Sequence, residues 1–241
     1  MATSANNIFS LFQRYPFWLL LLWMFAAAIL PWLLQPAAAW RDGPEFVVAA
    51  WGLGIAHPAG YPLYQSIVWL FEQFPLGDIV LRNHAFSAMF TLAAMVLLYE
   101  MAIAFVRLLA GEYNMRGIRH VAGWVSLCWL VMPAQMENAV QSEAYSLFAA
   151  FTFLVAKLLF DFLRTRKLRY YVLASFLAGV GCGNHVMLGA MLFPLMLVLG
   201  VETHFRTAIR TAVAGAAAGL WGLMVYLYLP VRSRREPSFD W

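Results

Sequence analysis

Long apolar runs alternate with short polar stretches along nearly the whole chain. Five runs predict one membrane-crossing helix each: residues 17–34, 84–106, 121–133, 144–162 and 211–230. A sixth run, residues 171–201, is too long for one crossing and short for two, and a glycine-rich stretch at 179–185 interrupts it. We therefore predict two short helices there that meet at a turn, and about seven transmembrane helices in all.

The first polar stretch, residues 41–83, contains two further apolar patches. Residues 44–56 and 61–71 are each too short to cross a bilayer and are rich in Trp or Tyr. Such segments are typical of helices that lie in the membrane interface. Three alanines at 37–39 resemble a signal-peptidase site, but the apolar run before them is longer than a signal usually has, so we predict that it remains as the first helix.

Composition agrees with this pattern. Of 241 residues, 63% are hydrophobic and only 12% are charged, with a mean hydropathy of +0.71. A soluble domain of this size needs more charge to cover its surface, and continuous rather than alternating apolar runs argue against a β-barrel. The net charge of +4 sits mostly in short loops, which argues against nucleic-acid binding. We predict an all-α polytopic membrane protein in which residues 1–241 form a single integral-membrane domain.

Basic residues predict the orientation. Seven crossings put the N-terminus and eleven of the sixteen bases on one side, which the positive-inside rule makes cytoplasmic. Arg232, Arg234 and Arg235 then follow the last helix on the opposite side, where the rule disfavours them. A six-helix alternative, with the tail inside, obeys the rule better and stays open.

Under the seven-helix topology, several acids and two histidines converge on the outer face from three separate loops. A transporter would gather such groups near the bilayer midplane, in paired halves of the chain, and no internal repeat is present. The sequence therefore predicts a functional site at one face, formed by side chains of the first, second and third outer loops: Asp42, Glu45, His57, Glu137, Glu143 and His185.

Each of these residues also has a purely structural interpretation. Asp42 and Glu45 have the spacing of a capping box, and His57 lies in a turn that its prolines and glycine would make rigid. Glu143 would suit the dipole at the start of a helix, and His185 would suit a tight turn between helices. The sequence contains no P-loop, zinc-ligand spacing or nucleophile elbow that would favour another chemistry.

Four stretches in order along the chain resemble the bacterial family of protein O-mannosyltransferase-like membrane proteins, which belongs to the glycosyltransferase-C superfamily. D-x-x-E begins at Asp42 and is followed by L-G-I-A-H-P-x-G-Y-P-L at 53–63. Q-x-E-x-Y begins at Gln141, G-x-G-x-G-N-H covers 179–185, and Y-L-Y-L-P-x-R ends at Arg232. Ala59 and Ala144 depart mildly from the family pattern.

The resemblance implies a seven-helix module with two interfacial helices in the first outer loop. It implies transfer of a mannose-like sugar, with inversion, from a polyprenyl-phosphate donor to a protein hydroxyl or another glycan acceptor, without a cofactor or metal. An acid of the first loop would be the catalytic base. We expect this to be Asp42, because a carboxylate within reach of a hydroxyl can remove its proton during attack. Glu45 would position the acceptor or hold Asp42.

The remaining predicted site residues would bind the phosphate or the sugar: His57, Tyr61, Glu143, His185 and Arg232. For Arg232, ordinary contact with lipid headgroups is an equal alternative. Family members usually continue into further helices, so the chain is expected to be the N-terminal part of a longer architecture in the bacterial inner membrane, with its active face extracytoplasmic. A non-catalytic membrane subunit, or a glycan-binding component, remains the main alternative function.

Overall fold

The computed structural model describes residues 15–37, 41–75, 77–111, 115–190, 196 and 205–241, and helices dominate them. They are α1 (Phe17–Ile29), α2 (Gly43–Trp51), α3 (Pro62–Glu72), α4 (Ile79–Ala110), α5 (Met115–Leu130), α6 (Pro133–Ala139), α7 (Tyr145–Thr165), α8 (Leu168–Cys182), α9 (Phe205–Leu223) and α10 (Tyr228–Ser233). Short 3₁₀ turns extend α1 (Leu30–Leu33) and join α9 to α10 (Met224–Leu227). Within these ranges the β contact is a single isolated bridge, between Ile55 and Asp240. The all-α prediction is confirmed.

Three of these helical stretches are long and apolar enough to cross a membrane: Ile79–Ala110, Tyr145–Thr165 and the continuous Phe205–Ser233. Phe17–Leu33 and Leu168–Cys182 are also apolar but shorter. Helix α4 is longer than the predicted 84–106. It begins earlier because the side chain of Asp78 accepts a hydrogen bond from the Leu81 N–H at 2.7 Å and so caps the helix.

The predicted third helix and the loop after it need correction. Helix α5 occupies Met115–Leu130 rather than 121–133, since its polar first turns are helical too. The segment expected as a plain loop contains α6, which starts at Pro133. Proline suits the first turn of a helix, where its missing N–H costs nothing, and this explains why a new helix starts there.

Helix α4 is the centre of the bundle, and α1 runs antiparallel to it. The Tyr15 hydroxyl donates to Glu100 near the end of α4, whereas Leu30 packs with Ala88 near its start. The described residues of the first loop (35–37, 41–75 and 77–78), the loops at 131–144 and 183–186 and the tail after α10 therefore lie at one end of the bundle, which we call the upper end. Its segments are bonded to one another, as in the bond from the Leu63 N–H to the Gly183 carbonyl at 2.9 Å.

Helices α8 and α9 run in the same direction, side by side. Gly215 lies against Tyr171, and Gly222 lies against Phe176, which is further toward the C-terminus of both helices. A Cβ on Gly222 would come within 2.3 Å of the Phe176 carbonyl oxygen. The helices approach this closely because small residues line the contact.

Since α8 and α9 are parallel, the chain between them must return from the upper end to the lower end. Leu188 packs over Gly181 at the end of α8, and Met196 accepts a hydrogen bond from Tyr171 near its start. The turn predicted at 179–185 needs correction, since residues 179–182 still belong to α8. The turn covers residues 183–186, and residues 187–190 after it are helical. Most of the second predicted short helix, residues 191–195 and 197–201, lies outside the described residues.

Both predicted short helices of the first loop are confirmed. Helix α2 ends at Trp51 rather than at residue 56, because Leu53 takes a left-handed conformation (φ 46°) and begins a turn. The two helices pack on α4 through a buried aromatic cluster that includes Phe46, Tyr64 and Phe86. This cluster fixes the first loop over the upper end.

Candidate functional site

The turn between α2 and α3 carries the predicted histidine. Gly60 (φ 80°) and Tyr61 (φ 47°) both take left-handed conformations, and Pro62 then starts α3. The turn folds the chain back so that His57 lies beside Glu45, in the first turn of α2. Asp42 precedes α2, but its side chain makes no capping bond. Its carboxylate is therefore available for other contacts.

Glu45 holds His57, and its predicted role of positioning the acceptor or holding Asp42 stays a prediction. One carboxylate oxygen accepts the backbone N–H of His57 at 2.5 Å and lies 3.1 Å from ring atom Nδ1. A carboxylate can only accept, so the proton of a neutral imidazole sits on Nδ1 and leaves Nε2 as an acceptor. Glu45 thus sets both the position and the tautomer of His57.

The free nitrogen of His57 faces two other predicted site residues. Nε2 lies 3.8 Å from Oδ2 of Asp42 and 3.2 Å from the Tyr61 hydroxyl. Burial, with smaller contributions from Tyr145 and Asp42, raises the pKa of Tyr61 to about 12, so its hydroxyl keeps the proton that it can donate to Nε2. Asp42 remains 46% exposed, which leaves its carboxylate open to an incoming molecule.

The same three side chains could also hold a cation. Asp42, Glu45 and His57 offer ligand atoms that all lie within 4.8 Å of one another. Carboxylate and imidazole are suitable ligands for a divalent ion, although one Glu45 oxygen already accepts from His57. The expectation that the site works without metal remains a prediction.

Glu143 lies just before α7 and is buried, with 1% of its surface exposed. Its backbone N–H donates to Ser87, and neither carboxyl oxygen has a hydrogen-bond partner among the described residues. Burial, and then the charge of Asp42, raises the pKa of Glu143 to about 7, while Arg41 opposes this rise. Glu143 is therefore an acid poised to change charge near neutral pH, within electrostatic reach of Asp42 and His57.

His185 completes an aromatic wall on the other side of Tyr61. Its ring centroid lies 6.0 Å from that of Tyr61, 5.5 Å from Tyr145 and 5.2 Å from Phe148. Burial, and then His57, lowers the pKa of His185, so the ring is neutral at physiological pH. Its Nδ1 accepts the Met187 N–H at 3.3 Å, which leaves Nε2–H to donate.

Arg232 is at the upper end, as predicted, but its contacts are with the protein backbone. Its Nε donates to the Leu53 carbonyl at 2.7 Å and its Nη2 to the Gly52 carbonyl at 3.1 Å. Both acceptors belong to the turn that leads to His57. The expected binding of a phosphate by Arg232 remains a prediction, which these bonds do not favour.

Sequence reasoning missed a second buried acid behind the site. Glu72 is fully buried on α3 and accepts a hydrogen bond from Asn83 of α4 at 2.6 Å. Burial raises its pKa to about 7. Gln65 and Glu72 are seven residues apart, a spacing that places them on one face of α3 and is visible in the sequence, whereas the burial of both is seen only in the structure.

Comparison with known proteins decides the family. The model of the protein O-mannosyl-transferase TMEM260 N-terminal domain matches residues 42–209, more than half of the chain. The chain belongs to this family. The match begins at Asp42 and contains every predicted site residue except Arg232, which lies beyond it.

A curated relative supports the same family. The chain is 26% identical over 218 residues to the protein O-mannosyl-transferase TMEM260 of Mus musculus, a match that covers 86% of the chain and 29% of the mouse protein. The chain thus spans less than a third of that relative's length. No solved structure matches the chain.

Proposed function

We propose that the chain is the catalytic membrane module of a glycosyltransferase. It would move a mannose-like sugar from a polyprenyl-phosphate donor to a hydroxyl of a protein or glycan acceptor. The observation that carries the proposal is the arrangement of Asp42, His57 and Glu45 at one end of a helical bundle, within the part of the chain that matches the O-mannosyl-transferase family.

Asp42 is the base of the proposed reaction. Its exposed carboxylate takes the proton of the acceptor hydroxyl as that oxygen attacks the anomeric carbon of the sugar. The bond from this carbon to the phosphate oxygen breaks, and the electron pair leaves with the lipid phosphate. Attack and departure occur on opposite faces, so the configuration at the carbon inverts. A phosphate is a good enough leaving group that no general acid is required.

His57 and Glu45 serve Asp42 in this scheme. Because Glu45 keeps the His57 proton on Nδ1, Nε2 faces the acceptor side as a hydrogen-bond acceptor. This nitrogen can accept a hydrogen bond from the attacking hydroxyl and so orient it. It can also accept from the Tyr61 hydroxyl, which lies 3.2 Å away and borders the same space. Holding the acceptor hydroxyl in this position accelerates the transfer by orientation.

The donor would lie toward His185 and the aromatic wall. The neutral ring can donate from Nε2 to a phosphate or sugar oxygen, and Tyr145 offers an aromatic face beside it. Protonated Glu143 would donate to a sugar hydroxyl, whereas its carboxylate would repel the phosphate. We place an uncharged part of the donor beside Glu143 because its carboxyl oxygens are buried and have no hydrogen-bond partner among the described residues.

We further propose that the chain crosses the membrane seven times, with its upper end extracytoplasmic. The antiparallel arrangement of α1 and α4 and the parallel arrangement of α8 and α9, which requires a return segment between them, support this count. The bases gathered at the lower end would then be cytoplasmic. In a bacterium this membrane would be the inner membrane, and the helical module would be of the glycosyltransferase-C type.

A non-catalytic role is the second candidate, because the chain covers only 29% of the mouse relative. Transfer from labelled polyprenyl-phosphate mannose to a serine- and threonine-rich peptide, in membranes that contain the chain, separates the two. We expect transfer by the native chain and its loss in Asp42→Asn. Asp78→Asn is the matched control, since asparagine caps a helix nearly as well as aspartate. Donor binding without any transfer by the native chain would favour the non-catalytic role.

A further inference from the structure

Residues 228–241, which comprise α10 and the chain after it and which we call the tail, form hydrogen bonds along the turn that leads to His57. The Tyr228 hydroxyl donates to the Gly54 carbonyl at 2.9 Å, and Arg232 donates to the two carbonyls before it. The Ile55 N–H donates to the Phe239 carbonyl at 2.9 Å. Tail groups therefore bind three successive carbonyls and the next amide of the turn, residues 52–55.

The fit between the tail and the turn is close. A Cβ on Gly54 would come within 2.5 Å of the Phe239 carbonyl oxygen. A Cβ on Gly60, on the far side of His57, would come within 2.8 Å of Leu229. Gly54 and Gly60, on either side of His57, are both in close contact with the tail. Movement of the tail would therefore move the turn.

The turn itself needs such support. Leu53 has φ 46°, a left-handed conformation that is unfavourable for a non-glycine residue. Strained conformations persist where the surrounding structure holds them. Here the Leu53 carbonyl accepts the shorter of the two Arg232 bonds, at 2.7 Å. The guanidinium is thus directly placed to hold the strained residue.

We propose that Arg232 is a positioning residue for the transfer reaction, which acts through the carbonyls of Gly52 and Leu53 to hold His57 against Glu45 and beside Asp42. This inference rests on the proposed function. Arginine suits the role because its planar fork can bond two neighbouring carbonyls at once, which the single ammonium of lysine cannot match. Arg232 would not touch the substrates.

The kinetic test separates positioning from binding of the donor phosphate. With polyprenyl-phosphate mannose as the varied substrate, Arg232→Gln should lower kcat by roughly 10- to 100-fold and leave KM for the donor within about twofold, because misplacement of a reacting group by about 1 Å has an effect of this size. Arg232→Lys should recover only part of this loss. Arg235→Gln, at an exposed neighbour in the same tail, should change neither constant. A raised KM with unchanged kcat would overturn the inference and assign Arg232 to the donor phosphate.

A double variant tests whether Arg232 acts through His57. If it does, Arg232→Gln should cost little further activity once Glu45→Gln has already loosened His57, since effects of residues that act as a unit are not additive. Fully additive losses would show that Arg232 acts independently, and the inference would be wrong.

Amide hydrogen exchange provides a readout that does not depend on activity. In purified protein in detergent, Arg232→Gln should speed exchange in the peptide covering residues 52–57, and Arg235→Gln should not. Unchanged exchange would overturn the inference even if transfer falls. If Arg232→Gln speeds exchange but the native chain shows no transfer, the contact between tail and turn stands, and its catalytic role is rejected together with the proposed function.

Discussion

Replacing Glu45 by glutamine tests how much the orientation of His57 contributes to transfer. The Glu45 carboxylate accepts two bonds from one histidine, at 2.5 Å from its backbone N and 3.1 Å from its Nδ1. Glutamine keeps an oxygen acceptor of similar shape but removes the charge. The change therefore weakens these bonds without opening a cavity.

The magnitude follows from the strength of the two bonds. A hydrogen bond to a charged group contributes roughly 1.5–3 kcal/mol, and one between neutral groups roughly 0.5–1.5 kcal/mol. Glu45→Gln therefore loses about 1 kcal/mol for each bond, or about 2 kcal/mol in total. If this loss appears wholly as disorder of His57, kcat falls by about 30-fold, since about 1.4 kcal/mol corresponds to a factor of ten.

The assay compares kcat for mannose transfer in native chain, Glu45→Gln and Asp42→Asn, at equal amounts of folded protein in membranes. Asp42→Asn should lose roughly two to four orders of magnitude, more than Glu45→Gln, because it removes the base itself. Asp78→Asn is again the control, since Asp78 is an acid at the same end whose side chain caps α4, and asparagine caps a helix nearly as well. A larger loss in Glu45→Gln than in Asp42→Asn would exchange the two roles. No loss in Glu45→Gln would refute the orienting role of its carboxylate.

Three further predictions concern the bundle and its pH dependence. In the native chain the free energy of unfolding should fall by up to about 3 kcal/mol as pH rises from about 5 to about 8, because only the folded chain keeps the Glu143 proton in that range. Glu143→Gln should remove this fall. Thermal unfolding at the two pH values checks it, and an unaltered pH dependence in the variant would contradict it. Gly222→Ala should lower the thermal stability of the chain, since the new Cβ would come within 2.3 Å of the backbone of α8. Gly219→Ala, whose nearest new contact is 3.5 Å away, should be tolerated, and equal effects of the two changes would contradict the close packing of α8 and α9. In a chain without native cysteines, Ala134→Cys should react with an impermeant thiol reagent from outside intact cells and Lys167→Cys should not, and the reverse result would invert the proposed orientation.

The sequence predicted the first loop well because its signals are local. Prolines, glycines and short apolar runs define α2, α3 and the turn between them within about thirty residues. Glu45 lies in the first turn of α2, and His57 follows the same short helix only twelve positions later. Their proximity was thus predictable, although which acid would hold the histidine was not, since Asp42 and Glu45 both lie at the start of α2.

The contacts of Glu143 and Arg232 could not be read from the sequence. The Glu143 backbone N–H donates to Ser87, which is 56 positions away, and Arg232 donates to carbonyls about 180 positions away. Backbone carbonyls carry no sequence signal, so a basic residue at this end suggested an anionic ligand instead.

One long-range signal was present and was overlooked. Gly215 and Gly219 are four residues apart in an alanine-rich helix, the spacing that allows close helix contact in membranes. Together with Gly222 they predict a tightly packed neighbour. That neighbour is α8, and the parallel pair is what requires a return segment between the two helices.

Asp42→Asn tests most directly whether Asp42 is the base of a sugar-transfer site at the upper end, provided that donor binding and turnover are measured separately. Binding of polyprenyl-phosphate mannose by the purified variant is measured first, and a single turnover to the acceptor peptide is then followed with the variant saturated by donor. If Asp42 is the base, the donor Kd should lie within about twofold of the native value and the single-turnover rate should be lower by roughly two to four orders of magnitude. A native rate of turnover in the saturated variant would contradict it.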